Sequence, residues 1–392
     1  MQRIGPAERR ARLSVRHHLA PGARAADVVA AVRGVLVLHA TDPATVHLSA
    51  RARVAVPEVA ELEKALYDDR RLVRMLGMRR TVFVVPVATA PVVQAACTRA
   101  VAVTERRKTV QFVRDGGLSD DPETWLAAVA DATVDTLRRR GPSLSTELSA
   151  AEPRLAERVV VAGGTAYEGS QSVASRLLPL LAAEARVVRG RPRGGWSSGG
   201  QYWWSAMEDW LPGGLPDRPV EESRVELARA WLRTFGPAPV ADLKWWSGWT
   251  LGQTRAALAA IGPVEVDLDG DPGVALPDDL DPTPAPPPYA ALLPALDPTV
   301  MGWQRRDWFL GGHAAALFDT NGNAGPTVWW DGRVVGGWAQ RRTGEVVVEL
   351  LEDPGAEARA AVDAEAAALQ DWLGPARITP RFRTPLERGL VA

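Results

Sequence analysis

Apolar residues recur at three- and four-residue spacing through the first third of the chain, a pattern typical of amphipathic helices. It predicts helices over residues 8–19, 25–39, 59–76 and 88–115. The pattern breaks at Asp42–Pro43, where an aspartate before a proline predicts the start of a new helix. Residues 79–86 instead alternate and are rich in β-branched residues, which predicts a short strand.

A similar order of elements recurs further along the chain. A helix ends at arginines 138–140, a Gly-Pro break and further helices follow, and residues 185–192 and 200–206 form a predicted hairpin. The stretch GPSLSTEL at 141–148 matches GPAPVADL at 236–243 in its spacing. Helix, turn, helix and hairpin is the order of a winged helix-turn-helix, and its repetition predicts stacked units.

The C-terminal part has a different pattern. A proline-rich connector at 276–298 precedes alternating segments separated by Asp-Gly and Thr-Gly pairs, which predict an antiparallel meander. A final helix is predicted over 355–373. Together these patterns predict an α+β fold class.

The composition excludes several classes of protein. A single cysteine, Cys97, excludes an internal disulfide framework and a multi-cysteine zinc site. No apolar run reaches the roughly 18 residues of a membrane-spanning helix, and the charged N-terminus lacks the apolar core of a secretory signal. We therefore predict a cytoplasmic protein that does not associate with membranes. The lysines are Lys64, Lys108 and Lys244, so nearly all positive charge is arginine.

The formal net charge of −1 conceals an asymmetric distribution. Residues 1–115 hold 20 Lys+Arg against 10 Asp+Glu, a balance of +10, whereas residues 261–392 hold 10 against 20, a balance of −10. A basic N-terminal third is what a polyanion-binding surface needs, because phosphate contacts dominate non-specific nucleic-acid affinity. The alternative is that the two ends of the chain neutralise each other within one monomer.

Four fragments, in this order, together resemble one family. They are LHATDPATVHLSARARV, LYDDRRLVRMLGMRRTVFVVP, LLPALDPTVMGWQRRDWFLG and PTVWWDGRVVGGWAQRR. In them the chain is similar to the bacterial winged-helix DNA glycosylases that include AlkZ and YcaQ. The resemblance implies tandem winged helix-turn-helix units and a C-terminal antiparallel β-barrel-like domain around a concave channel for double-stranded DNA. It also implies excision of N-alkylated purines and unhooking of interstrand crosslinks.

The resemblance, combined with the patterns above, suggests the domain boundaries. The first winged-helix unit, with the HATDP motif, is predicted over 1–115 and the second over 116–215. A third unit is predicted over 216–275, and the connector with the C-terminal β domain over 276–392. We expect a monomer that needs no cofactor.

The predicted site departs from the family pattern. Characterised members carry a glutamine, an apolar residue and a second glutamine or an aspartate just before the Asp-Pro pair, whereas this stretch reads His39–Ala40–Thr41–Asp42–Pro43. Either His39 and Thr41 form a variant site, or this branch binds DNA without cutting the glycosidic bond. The alternative for His39, Thr41 and Asp42 is a purely structural role, in which each makes a hydrogen bond at a helix end.

The chemistry of the reaction makes His39, Thr41 and Asp42 the candidate catalytic residues. An N-alkylated purine is a cationic leaving group, so its excision needs a held water and a stabilised oxocarbenium-like sugar rather than a strong acid. A neutral histidine can orient water and accept a proton, threonine donates and accepts hydrogen bonds, and aspartate supplies a carboxylate. No lysine lies in a family motif, which favours hydrolysis over a lyase reaction. His39 and His47 lack nearby carboxylates or cysteines, so no metal site is predicted.

Candidate DNA contacts are arginines in the motifs of the first unit and on the predicted hairpin at 185–206. They are Arg51, Arg53, Arg79 and Arg80 in the first group and Arg189, Arg191 and Arg193 in the second, and Arg74 also flanks the motifs. A basic hairpin between glycines suits phosphate or minor-groove contacts. Its alternative interpretation is a solvated hairpin without a DNA contact.

Three functions follow from these patterns. The first is a monofunctional DNA glycosylase for alkylated or crosslinked purines. The second is a non-catalytic DNA-binding protein, such as a regulator or damage binder, and the third is a scaffold with no DNA role. Release of a base identifies the glycosylase, and salt-sensitive binding without release identifies the non-catalytic binder. Failure to bind any duplex at low salt identifies the scaffold.

Overall fold

The computed structural model describes residues 1–161 and 169–392 and has a mixed α+β architecture. The N-terminal third consists of β1 (Gln2–Arg3), α1 (Pro6–Arg16), α2 (Val28–Gly34), β2 (Leu38–His39), α3 (Pro43–Arg51), α4 (Val59–Glu63), β3 (Leu72–Leu76), β4 (Val82–Pro86), α5 (Ala90–Val93) and α6 (Arg99–Asp115). A π-helical segment, Lys64–Asp68, extends α4. Asp27 and Asp42 cap α2 and α3, each accepting a backbone N–H of the first turn, as the sequence predicts for Asp42.

The middle of the chain contains two further segments of helices and hairpins. The first consists of α7 (Pro122–Arg140), β5 (Ser143–Leu144), α8 (Ser145–Ala151), β6 (Arg158–Val161), β7 (Gly169–Ser172), α9 (Val173–Ala183), β8 (Val187–Pro192), β9 (Tyr202–Ala206) and α10 (Met207–Trp210). The second consists of α11 (Val220–Phe235), α12 (Val240–Ser247), α13 (Leu251–Ile261), β10 (Val264–Asp267) and β11 (Pro272–Ala275).

One order of elements runs through these three segments: a helix, a short extended stretch, two helices and a hairpin. In the first two segments the second hairpin strand lies at the centre of the sheet, which has the order β2-β4-β3 or β5-β9-β8. In the third, β11 pairs with β10, and Ala238 forms an isolated bridge to Val274 on the other side of β11. The second segment differs by the β6–β7 hairpin between its second and third helices.

The C-terminal part forms an open antiparallel sheet in which the strands follow chain order. Its elements are β12 (Ala290–Leu293), α14 (Pro298–Met301), α15 (Asp307–Leu310), α16 (Ala314–Leu317), β13 (Thr327–Trp330), β14 (Arg333–Gln340), β15 (Val346–Leu350), α17 (Ala356–Leu373) and α18 (Pro385–Leu390). The meander and the final helix agree with the sequence, and Asp331 and Gly332 form the predicted turn with φ of 46° and 73°. The expected barrel-like closure is wrong, because β12 and β15 do not pair in the described structure and α17 packs on the sheet instead.

Three predicted helices end earlier than their sequence patterns suggest, and the first, expected over 8–19, ends at Arg16. The helix expected over 25–39 ends at Gly34, and the one expected over 59–76 gives way to β3 at Leu72. Leu36 and Arg70 interrupt the helical path with positive φ of 64° and 54°. Short apolar runs such as that of β3 suit a buried strand as well as a helix, which explains the error.

The described residues contain no helix that is long and apolar enough to cross a bilayer.

Candidate functional site

A cleft of about 630 Å³ opens where the starts of α3 and α9 meet the β8–β9 hairpin and the C-terminal tail. We call it the Asp42 cleft. The lining residues that matter for its chemistry are Thr41, Asp42, Ser172, Arg189, Tyr202 and Arg381. Within the described part of the chain, Asp42 is the one carboxylate that lines it, so the cleft combines one acid with two arginines.

Asp42 caps α3 and lines the cleft at the same time. Its Oδ1 accepts the backbone N–H of Ala44 at 3.0 Å. Burial raises the pKa of Asp42 above the ordinary value of 3.8, and backbone hydrogen bonds from Ala44 and Arg381 together with nearby guanidinium charge oppose that shift. Asp42 can therefore act as a helix cap and as a cleft residue in the same conformation. Half-buried Thr41, the preceding residue, also lines the cleft.

His39 is not among the residues that line the cleft. It is 3% exposed on β2, opposite Phe83 of β4, with the two ring centroids 4.6 Å apart. Burial, with a smaller contribution from the charge of Arg79, lowers the pKa of His39 to about 3. Its Nδ1 is buried without a hydrogen-bond partner among the described residues. The structure thus brings Thr41 and Asp42 together at the cleft, whereas the neutral His39 is buried against Phe83.

Arg189 is the predicted DNA-contact residue that lines the cleft. Its guanidinium carbon lies 5.0 Å from the ring centroids of both Tyr202 and Trp204. Burial and then the neighbouring charge of Arg74 lower the pKa of Arg189 to about 10, so the side chain stays cationic at neutral pH. The cleft therefore presents a fixed positive charge opposite Asp42.

A second concavity of about 570 Å³ adjoins the cleft and shares Ser172, Ser175 and Pro179 with it. We call it the basic groove, because three arginines, Arg80, Arg158 and Arg176, line it together with one acidic residue that the structure describes, Glu105. Beyond Arg80 it meets a smaller depression of about 290 Å³. The cationic side chains of that depression include Arg79, Lys108 and Arg224. A concave, arginine-rich path thus leads away from Asp42 along α9.

Arg79 and Arg80 lie on this path in different environments. The guanidinium carbon of Arg79 lies 3.9 Å from the centroid of Trp245, and burial lowers the pKa of Arg79 to about 10. The side chain of Arg80 is 55% exposed, and its Nε lies 3.0 Å from Oε1 of Glu105. Arg80 is therefore the more accessible of the two.

Arg51 and Arg53, which the sequence predicts as DNA contacts, are buried in ion pairs instead. The side chain of Arg53 is fully buried, and its two Nη atoms lie 2.9 and 2.6 Å from the carboxylate oxygens of Asp297. Arg51 is 8% exposed and pairs with Glu365. Because both guanidiniums are buried and neutralised by carboxylates, they hold the fold together and cannot reach a phosphate in this conformation.

The exposed arginines of the hairpin also have partners. Arg191 lies 3.3 Å from Glu63 Oε2, and Arg193 donates to Gln201 Oε1 at 3.2 Å. The hairpin tip folds back on the protein, because the Trp196 ring lies 5.0 Å from the His47 ring and 5.4 Å from the Trp372 ring. Arg191 and Arg193 thus remain predictions as DNA contacts, on a hairpin that is docked at its tip.

Cleft and groove residues that the sequence did not single out are Arg158, Arg176, Tyr202 and Arg381. A sequence signal existed for Tyr202, since the strand predicted at 200–206 places it on the same face as Trp204. Arg381 lies in the tail that follows α17 and reaches the cleft only through the tertiary fold. Within the described residues, no group of three or more His, Cys, Asp or Glu side chains is arranged to hold a metal.

The sequence and the fold both match known DNA glycosylases. The family model described as "DNA glycosylase AlkZ-like" matches residues 32–372. Among solved structures, that of Streptomyces sahachiroi DNA glycosylase AlkZ matches with a TM-score of 0.73 and 20% identity, covering 97% of this chain and 100% of that chain. Comparison with curated protein sequences gave no match. The structural likeness establishes the fold, and because the family match spans most of the sequence, the chain belongs to the AlkZ-like DNA glycosylase family.

Proposed function

We propose that this protein is a monofunctional DNA glycosylase that removes N-alkylated purines, single or crosslinked, from double-stranded DNA by hydrolysis. The observation that carries the proposal is the position of Asp42, whose side chain lines a cleft that continues into the basic groove. A carboxylate beside a cation-lined concavity suits a reaction that develops positive charge on a sugar while the phosphate backbone is held.

We assign the three repeated segments as winged-helix units that run from α2 to β4, from α7 to β9 and from α11 to β11. Each falls inside one predicted domain: 1–115, 116–215 or 216–275. In this assignment α9 has the position of a recognition helix. That position supports a DNA-binding role, because the face of α9 and its cap contribute to both the Asp42 cleft and the basic groove.

The proposed reaction uses the cleft residues as follows. A water oxygen attacks C1′ of the nucleotide while the glycosidic electron pair leaves with the cationic purine, which becomes neutral. Asp42 stabilises the developing oxocarbenium charge and accepts the water proton, and Thr41 orients the water through its hydroxyl. His39, which is neutral and buried on β2, is assigned as a positioning residue that supports the backbone leading to Asp42.

Base release from methylated duplex DNA tests the proposal. Purified protein should liberate 3-methyladenine or 7-methylguanine, measured by mass spectrometry. An Asp42→Asn variant should release base at least about 100-fold more slowly, because it loses a group that acts in the proton-transfer step. Asparagine is as good an N-cap as aspartate, so the helix is retained.

Asp27 provides a matched control, since it caps α2 in the same way but does not line the cleft. Asp27→Asn should keep full activity. Absence of base release by the wild-type protein on methylated and crosslinked duplexes would reject the glycosylase function. Equal rates for wild type and Asp42→Asn would reject the site assignment alone.

A non-catalytic DNA-binding protein is the second candidate. The observation that favours it is the burial of His39 at the position where the resemblance expects a catalytic glutamine. This function predicts salt-sensitive binding of duplex DNA with no release of any base.

A further inference from the structure

We propose that the Asp42 cleft contains an anion subsite, formed by Arg189 and Arg381 and supported by the buried Arg74, which takes a backbone phosphodiester next to the reacting nucleotide. That the bound anion is a phosphate of DNA rests on the proposed function. The positive charge of the subsite rests on the geometry alone.

The first observation is a buried cation that makes no direct ion pair or hydrogen bond within the described part of the chain. Arg74 lies in the middle of β3 and is 4% exposed. All three of its guanidinium nitrogens are buried without a hydrogen-bond partner among the described residues. Arginine cannot shed its proton, so a buried guanidinium whose nitrogens lack hydrogen-bond partners destabilises the fold. Arg53 shows the contrast, because its buried guanidinium is compensated by Asp297.

The second observation places Arg74 next to the cleft. Its guanidinium carbon lies 5.1 Å from the centroid of the Tyr202 ring, and that of Arg189 lies 5.0 Å from the same centroid. Tyr202 and Arg189 both line the cleft. The electron-rich ring face attracts each cation, and it thereby holds two like charges close together. An anion bound at Arg189 would therefore reduce the repulsion between the two cations.

The third observation concerns the other walls of the cleft. Arg381 lines it from the tail, and Ser172 and Ser175 line it at the N-terminus of α9. Helix α9 has 11 residues, so the positive end of its dipole adds to the guanidinium charge. Asp42 offsets only part of this charge. Such a cleft suits a phosphodiester, whose oxygens accept from guanidinium and hydroxyl groups.

The charge also decides where a cationic base lies. Arg189 and Arg381 repel an N-alkylpurine ring, whereas Asp42 attracts it. We therefore place the phosphodiester against Arg189 and the modified base next to Asp42. This arrangement brings C1′, which lies between base and phosphate in a nucleotide, close to the Asp42 carboxylate.

Two variants test the subsite. Both should weaken DNA binding, and one of them should also stabilise the protein. Arg74→Met removes the buried cation and its partnerless nitrogens, so the melting temperature should rise while the affinity for a duplex with a tetrahydrofuran abasic site falls about tenfold. Arg189→Gln should weaken binding to a similar extent and lower the slope of log K against log salt by about one. Arg359→Met, an exposed arginine on α17, is the control and should match wild type in slope and affinity.

Inorganic phosphate separates a general anion site from a DNA site. It should raise the melting temperature of the wild-type protein more than that of Arg74→Met or Arg189→Gln, because only the wild type keeps the full site. If phosphate stabilises wild type in this Arg74-dependent way but duplex DNA does not bind, the subsite stands and the proposed function fails.

The converse result is equally informative. If duplex DNA binds and base is released, but Arg74→Met and Arg189→Gln have wild-type affinity and salt slope, the subsite is overturned and the proposed function stands. Equal stabilisation of all three proteins by phosphate would also overturn the subsite.

Discussion

Arg53 and Asp297 form a bidentate ion pair in which neither side chain is exposed to solvent. The Ser49 hydroxyl and the Thr299 backbone N–H also donate to this carboxylate, at 2.8 and 2.9 Å. The pair joins the end of α3 to the start of α14. Because Asp42 caps the other end of α3, the position of the candidate site carboxylate depends on this buried link to the C-terminal part of the chain.

Removal of Arg53 should destabilise the protein strongly. Arg53→Met leaves the Asp297 carboxylate buried without its cation, so the free energy of unfolding in urea should fall by about 3–5 kcal/mol. Arg359→Met breaks an exposed ion pair with Asp353 and should change stability by no more than about 1 kcal/mol. A loss for Arg53→Met as small as that of Arg359→Met would contradict the assigned structural role.

The pH profile of the base-release rate should fall off at acid pH because Asp42 becomes protonated there. The carboxylate accepts a proton only when it is ionised, and burial raises its pKa above 3.8. After subtraction of spontaneous depurination, the rate should therefore rise with pH through a pKa higher than 3.8 and then level off. Rates measured between about pH 4 and 8 should show this fall-off in wild type and lack it in Asp42→Asn. An identical fall-off in both proteins would assign it to another group.

His39 should influence stability at acid pH without shaping the pH profile of activity. Its pKa in the folded protein is about 3, so the ring stays neutral between about pH 5 and 8 and should give the rate no inflection near 6.5. The unfolded chain takes up the proton below about 6.5, so the stability contributed by neutral His39 is lost as the pH falls from there towards 3.

The measurement is urea unfolding at pH 5, 6 and 7 for wild type and His39→Gln. Stability should decline less for the variant than for wild type, because glutamine does not titrate. His17, whose pKa is lowered by burial, contributes equally to both proteins. Equal declines would show that His39 is accessible to protons in the folded state.

Loss of Trp196 should release the tip of the β8–β9 hairpin. Trp196 is half-buried against His47 and Trp372, and glycines lie on both sides of it in the chain. Trp196→Ala should increase trypsin cleavage after Arg193, since the exposed loop then has no aromatic anchor. Trp196→Phe retains a ring and should be cleaved at nearly the wild-type rate. Equal cleavage of all three proteins would mean that other contacts hold the tip.

Much of the fold was predictable where the determining interactions are local. The cap at Asp42, the strand at 82–86, the hairpins and the Asp331–Gly332 turn depend on residues within a few positions of each other. The error at β3 shows the limit of such patterns. Its apolar run is buried on both faces, and burial of that kind depends on distant parts of the chain.

The candidate site was predictable only in part. Thr41, Asp42 and Arg189 line the cleft, whereas His39 is buried and does not line it. A polar residue next to a turn can point to either side of its strand, and the sequence does not state which side faces solvent. The partners of Arg51 and Arg53 lie hundreds of positions away in the chain, so their burial could not be read from local spacing.

The sequence by itself determined the family, the order of helices and hairpins and the helix cap at Asp42, because these depend on short-range spacing and residue type. Only the tertiary structure decided which arginines are neutralised by carboxylates and which, among the described residues, have no hydrogen-bond partner near the cleft. The physical reason is that burial and counter-ions come from segments far apart in the chain, and they set the charge that each side chain presents.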